Sequence, residues 1–363
     1  MKEFASRVTK QIKPYFDGLL RLDEKTNKVH LWDDELGDRA SCCTTAAIAA
    51  FYALDHLLHG GDGDEIARHL AEDVRNWQLP SGGYAQPYYV KQGEDPPIDI
   101  AEVGAAADTL YHVYKVTGSS HAKASLIHSA EYLLTQVSRH NPGVVMKRPG
   151  EDFDVLNGDM YAAHTFGRAY ELSSDPVYLE KVKDVFAHLT ERFGKNTPGW
   201  WPYIERLDGS VQMGNSVLYQ ATIVGLARTA VPLLPAAMRD EWNAVSREAV
   251  ETMVNAMAAP PSEETEAPWW TRDWSLGWEL YMALWRVSEV PEIREKGRRR
   301  FLEAAEDLKE RGMEMFKPKV RHDEPDRTPV TTTFRKAAGF AGTIACMVLE
   351  DWPYVEAADG KGS

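Results

Sequence analysis

Carboxylates gather where apolar helical segments begin in this chain. Asp99 and Glu102 open the segment IDIAEVGAAADTLYHVYKV. Asp152 and Asp154 precede NGDMYAAHTFGRAYELS, and Asp159 falls in its first turn. Asp273 opens DWSLGWELYMALWRVSEV. One acid at a helix start serves as a cap or a dipole partner. Several acids brought to one mouth from different segments can do general acid/base work, because burial and like charges raise a carboxyl pKa toward neutrality. The expected acid/base is Asp159, assisted by Asp99, with Asp154 and Glu102 beside them. The helix start should lower the pKa of Asp159 and burial should raise it, and burial is expected to prevail. Tyr161, His164 and Arg168 form a second constellation at i, i+3 and i+7, and His30 and Trp32 stand before the first inner helix.

Aromatic residues crowd the intervening loops: Tyr84, Tyr88 and Tyr89; Trp200, Trp201 and Tyr203; Trp269, Trp270 and Trp274, with Trp278 one turn on. Aromatic faces suit the apolar C–H faces of sugar rings. Tyr84, Trp200, Trp201, Trp269 and Trp270 are therefore expected to wall a cleft, with Tyr161, Asn215 and Asp273 near it. Arg272 could clamp a carboxylate in bidentate fashion.

These residues recur with a beat of about 58 residues, and such a repeat sets the architecture. Helical segments rich in Ala, Gly and Ser begin near Ser41, Ile98, Asn157, Asn215, Asp273 and Thr332. Each is followed by a short turn and a more charged amphipathic helix, such as EIREKGRRRFLEAAEDLKERG. Six such hairpins predict an all-α (α/α)6 toroid: six inner helices ringed by six outer ones, with little sheet. A first outer helix is expected over about Lys2–Leu20. One domain is expected over 1–354, with a tail over 355–363. Inner-to-outer turns are short (TGSS, SSDP, SEVPE), whereas outer-to-inner loops are long. Long ordered loops are commonly functional. The site is therefore expected at the N-terminal ends of the inner helices, where helix dipoles favour anionic groups.

With 363 residues, 44% hydrophobic, the chain can bury a large core. A net charge of −14 argues against nucleic acid and anionic membrane surfaces as partners. Three cysteines, Cys42, Cys43 and Cys346, make no disulfide framework, and the first two are read as small core residues. The start MKEFASRVTKQIKPYF has no apolar signal-peptide core, and no run approaches a membrane span, so a cytoplasmic location is expected. There is no G-x-S-x-G, P-loop, G-x-G-x-x-G or H-E-x-x-H, and no zinc spacing, so no cofactor or metal is expected.

The chain resembles the six-hairpin glycosidase superfamily, and within it the unsaturated glucuronyl and rhamnogalacturonyl hydrolases. PPIDIAEVGAAADTLYHVYKVTG is similar to their segment in which an Asp opens an inner helix. NGDMYAAHTFGRAYELSSDPVYLEKV is similar to their Asp-Met helix, and WWTRDWSLGWELYMALWRV to their Trp-x-Arg signature. The resemblance implies functional aspartates at Asp99 and Asp159 and a Trp-Arg motif at Trp270 and Arg272. It departs at Gly158, where the family pairs its aspartate with a second polar residue, and in the spacing after Arg272. It implies a glycoside hydrolase acting on an oligosaccharide, one that carries a uronate in the hydrolases named. Alternatives on the same toroid are a polysaccharide lyase or sugar epimerase using Tyr161, His164 and Arg168, or His30. Further ones are a terpene cyclase or prenyltransferase, to which QLPSGGY has a faint similarity, and a non-catalytic carbohydrate-binding protein.

Overall fold

A computed structural model describes residues 1–23, 28–86, 97–148, 150–258, 276–317 and 332–354. Outer and inner helices alternate along them. Outer α1 (Lys2–Leu19) leads to inner α2 (Cys42–His59), and outer α3 (Gly63–Trp77) to an inner helix broken at Ala106 into α4 (Ile100–Ala105) and α5 (Ala107–Thr117). Outer α6 (Ser120–Thr135) precedes inner α7 (Leu156–Ser173), and outer α8 (Pro176–Arg192) precedes inner α9 (Val217–Ala230). Outer α10 (Ala236–Ala258), inner α11 (Trp278–Arg286), outer α12 (Pro291–Arg311) and inner α13 (Thr333–Glu350) complete the order. The inner helices pack in a closed circuit, α2 on α5, then α7, α9, α11, α13 and back to α2. This is the (α/α)6 toroid that the repeat predicts. No helix among the described residues is long and apolar enough to cross a membrane.

The two layers follow from two kinds of sequence. Helix α12 buries Ile293, Gly297, Phe301, Ala304, Ala305 and Leu308 along one stripe and turns its charges outward, as an outer helix must. Helix α2 is buried without a break from Thr44 to Asp55, and small residues let it touch neighbours on both sides. Close approach is strictest at Gly104, where a Cβ would stand 2.6 Å from the Tyr161 Cβ and 2.8 Å from the Tyr161 carbonyl oxygen.

Polar residues mark where inner helices begin. Ser41, Asp99, Ser216 and Thr332 accept backbone N–H groups of Thr44, Ala101, Tyr219 and Arg335. These caps satisfy orphan helix donors and set four N-termini at one end of the ring. The long loops at that end contain more sheet than expected. β1 (Leu20–Asp23), β2 (Lys28–Asp33) and β3 (Asp38–Arg39) form one antiparallel sheet. β4 (Phe153–Val155), β5 (Pro202–Arg206) and β6 (Val211–Asn215) form another. The β5–β6 turn explains the second: Gly209 has φ +83°, and Asp208 accepts the Ser210 N–H.

The opposite end of the ring is closed by charge. Arg168 on α7 donates to Asp108 Oδ1 on α5 from Nε (2.8 Å) and Nη2 (2.6 Å), and to Glu350 Oε1 on α13 at 3.2 Å. Arg228 on α9 donates to Glu350 Oε2 at 2.7 Å and to Asp108 Oδ2 at 3.3 Å. Burial acts to raise the pKa of Asp108, but Arg168, His112 and Arg228 outweigh it and hold it well below the usual range. Below this layer Tyr354 meets His112 Nδ1 at 3.1 Å, and Arg286 pairs with Asp351.

Removing one member of a buried ion network strands the others, at about 3–5 kcal/mol. Arg168→Met should therefore lower the thermal midpoint steeply, and an unchanged midpoint would refute the network's role. Because the pKa of Asp108 is depressed when folded, its contribution is present above the ordinary Asp pKa and is lost as pH falls through the folded value.

Candidate active site

The inner faces of the helices meet at the capped end. Glu102, in the first turn of α4, is 2% exposed, with Oε2 3.7 Å from Nη2 of Arg335 on α13 and Oε1 without a hydrogen-bond partner. Burial raises the Glu102 pKa above the ordinary glutamate range, opposed by Arg335, the Ser41 hydroxyl and the Cys43 N–H. Tyr161 on α7 lies within the field of Glu279, Cys43, Arg335 and Asp99, and burial foremost, then Glu279, pushes its hydroxyl up. Glu279, in the first turn of α11, is exposed and Cys43 is half-buried. Side chains of α2, α4, α7, α11 and α13 thus lie within one another's electrostatic field: the Glu102 and Glu279 carboxyls, the Tyr161 phenol, the Arg335 guanidinium and the Cys43 thiol, which burial pushes well above the usual thiol range.

The rim is aromatic and basic. Tyr203 on β5 stacks on Tyr219 of α9 at 3.9 Å and accepts Lys147 Nζ at 3.2 Å. Asp99 is a cap and an ion-pair partner: Oδ1 accepts the Ala101 N–H, while Arg148 donates to Oδ2 from Nε and Nη2 at 3.3 and 3.2 Å. Asn215 pairs with Pro202 at the end of β6, just before the α9 cap. Trp200 is half-buried against the core.

Other expected site residues lie elsewhere. Asp159 and Tyr161 are two positions apart, about 200° around a helix, so they face opposite ways. Tyr161 faces the ring axis, and Asp159 faces the outer helix α8. Asp159 is 0% exposed, and its Oδ1 accepts the Val145 N–H at 2.7 Å. Its Oδ2 is 3.8 Å from His188 Nε2, which meets Asp154 Oδ2 at 2.8 Å. Burial first, then the Asp154 charge, raises the Asp159 pKa well above the usual range. Burial prevails over the helix start, as expected, but here it serves a buried acid bonded to structure.

Asp154, Asp159 and His188 have the spacing of a metal triad; His188 bonds Asp154 Oδ2, while Asp154 Oδ1 and Asp159 Oδ2 are buried without a hydrogen-bond partner. Asn141 Oδ1 accepts the Gly143 N–H, so its Nδ2 donates to His188 Nδ1, leaving the ring proton on Nε2 to bond Asp154. Burial, together with the Asp154 carboxyl beside it, favours the protonated form of Asp159.

Three aromatic and histidine placements need correction. Tyr84 is 0% exposed, inside the core rather than on a cleft wall. Trp201 points outward, its Nε1 donating to the Leu189 carbonyl at 2.7 Å and its ring 4.5 Å from Phe193 and 5.8 Å from Trp242. His164 is 0% exposed, joined to Thr229 at 2.7 Å, and burial pushes its pKa down to about 4. With Arg168 in the charged floor, the expected trio of Tyr161, His164 and Arg168 is divided between the mouth and the floor. Cys42 is buried and Cys43 is half-buried, its thiol pushed up by burial first and then by the Glu102 charge. His30 is half-buried on β2. Asp152 is exposed. Tyr88, Tyr89, Trp269, Trp270, Arg272, Asp273 and Trp274 lie outside the described residues. Sequence reading missed Glu279, Arg335 and Tyr219. An open groove of about 750 Å3, lined by Arg75, Lys123 and His128, is on the outer surface near Gly118, at the end of α5 away from the mouth.

Asp159→Asn can still accept the Val145 N–H and donate to Asp154, so it should keep the thermal midpoint. Asp159→Ala strands that N–H and should cost about 1–3 kcal/mol. A carboxyl whose folded pKa is raised contributes stability below its unfolded pKa that is lost as pH rises through the folded value. Asp159→Asn should flatten that decline in a pH series of melting curves. A decline as steep as in the unsubstituted protein would exclude the buried acid.

No family model matches the sequence, and no curated protein matches it. Solved structures do share the fold. A sugar epimerase from a ruminal bacterium is 12% identical, with a TM-score of 0.65 over 94% of this chain and 97% of that one. An α-1,6-mannanase from Salegentibacter sp. HEL1_6 is 14% identical, with a TM-score of 0.61 over 96% and 99%. An unsaturated glucuronyl hydrolase specific for heparin is 12% identical, with a TM-score of 0.57 over 97% and 98%. In its ring of inner helices and its agreement with these structures over nearly the whole chain, the protein shares their fold, the (α/α)6 toroid.

Proposed function

We propose that the protein is a carbohydrate-active enzyme, a glycoside hydrolase in which Glu102 is the general acid and Glu279 the second carboxylate. The observation that carries this reading is the buried Glu102 carboxyl at the mouth, with its pKa raised and Oε1 unpartnered. A carboxyl kept protonated by burial can give its proton to the oxygen of a departing sugar. The anion it leaves is stabilised by Arg335, the Ser41 hydroxyl and the Cys43 N–H. Glu279, exposed on the next helix but one around the ring from α7, activates water or attacks the sugar carbon. The Tyr203–Tyr219 stack offers an aromatic surface to the sugar beyond the cleaved bond. Asp159 is then a positioning residue, holding the start of α7 and hence Tyr161.

A second reading, epimerisation by proton abstraction at a sugar carbon, has support because one structure of this fold is a sugar epimerase. The raised pKa of Tyr161 and the burial of His164 weigh against those two as bases.

Glu102→Gln should lower kcat by about 10²–10⁴-fold on alkyl glycosides, which need an acid to help the leaving group. The loss should shrink on nitrophenyl glycosides, whose leaving group needs none. In the unsubstituted enzyme activity should fall as pH rises through the Glu102 pKa, since only the acid form donates. Equal losses on both substrates would remove Glu102 from the acid role. Isomerised sugar without hydrolysis would favour the second reading.

A further inference from the structure

We propose that the ring is a blind shaft that receives the end of a sugar chain, so that the protein acts on a terminal residue and not on an internal linkage. This rests on the carbohydrate reading but not on which reaction follows. Among the described residues, exposure persists on the inner face at Cys43, Tyr161, Leu218, Glu279, Arg335 and Gly339. Gly339 stands on α13 one turn past Arg335, or about 6 Å further along the axis at 1.5 Å per residue. A Cβ at Gly339 would meet nothing within 4 Å, so open space faces it. Half-buried Thr343 stands another turn down.

Beneath that level the axis is filled. Asp108, Arg168, Arg228 and Glu350 cross it from α5, α7, α9 and α13 at 2.6–3.3 Å. A chain entering the mouth has no exit at the floor. The depth between Arg335 and Thr343, about 12 Å, admits a pyranose ring beneath the Glu102 carboxyl. Glu102 Oε1, buried without a partner, is left free at the top to bond an oxygen of the sugar. Gly339 and Leu218 present apolar surface to the C–H faces of the ring, Tyr161 presents a hydroxyl, and Thr343, whose hydroxyl donates to the Gly339 carbonyl, presents an acceptor oxygen.

The test uses saturation-transfer NMR with the methyl glycosides of glucose, mannose, galactose and glucuronic acid on the full chain. At least one should bind the unsubstituted protein. Gly339→Ala should keep that binding, and Gly339→Trp, which fills the shaft, should weaken it at least tenfold with the thermal midpoint unchanged. Gly339→Leu serves if the larger variant does not fold. Binding to Gly339→Trp or Gly339→Leu as tight as to the unsubstituted protein overturns the shaft alone. Turnover of an oligosaccharide blocked at both ends, as fast as of the free one, also overturns it. Failure of all four glycosides to bind overturns the carbohydrate reading, and the inference with it.

Discussion

The rest of the structure depends on one buried ion network. Six inner helices with small, apolar faces would leave a hole along their axis, and nothing in Ala, Gly or Ser can fill it. Asp108, Arg168, Arg228 and Glu350 fill it at one end with long side chains whose charges satisfy one another. Guanidinium groups suit this task because they bond two carboxylates at once in fixed geometry. Once that end is closed, the other end is the only place where the inner faces can remain wet. The site's location is a consequence of where the charge balance is complete.

Charge is incomplete at the mouth. Glu102 there has one guanidinium at 3.7 Å, against the bidentate bonds of the floor, and one oxygen without a partner. The two ends therefore push carboxyl pKa values apart, Asp108 down and Glu102 up, using the same residue types. A third carboxyl, Asp159, is raised by burial and by Asp154, on the outer side of α7. Glu102, Asp108 and Asp159 thus have three environments, and of these three only Glu102 faces the mouth.

The ring was legible in the sequence because its causes are local. Small-residue helices alternate with amphipathic ones, and Ser41, Asp99 and Thr332 mark starts that the structure keeps within about two residues, the usual margin at helix ends. The site was legible only in part. That Asp159 lies in a first turn can be read from the sequence, but its direction cannot, since α7 is buried on nearly every side and no polar face orients it. Trp201 was misplaced because loop aromatics serve cleft and core alike, and its bond to the Leu189 carbonyl is a long-range fact. Glu279 and Arg335 did carry a signal: each is a charge in the first turn of a mostly apolar inner helix, although Lys336 beside Arg335 carries the same one.

The interruption at Ala106 divides the second inner helix into a short upper piece bearing Glu102 and a longer lower piece bearing Asp108. Ala106 itself keeps helical φ and ψ, and its carbonyl accepts the Leu110 N–H at 3.0 Å, so the two pieces run on nearly as one rod. Two guanidinium groups clamp Asp108 on the lower piece, and Asp99 and the contact of Gly104 with Tyr161 hold the upper one. The aim of the mouth carboxyl is thereby set in part by charges that lie deeper along the same helix.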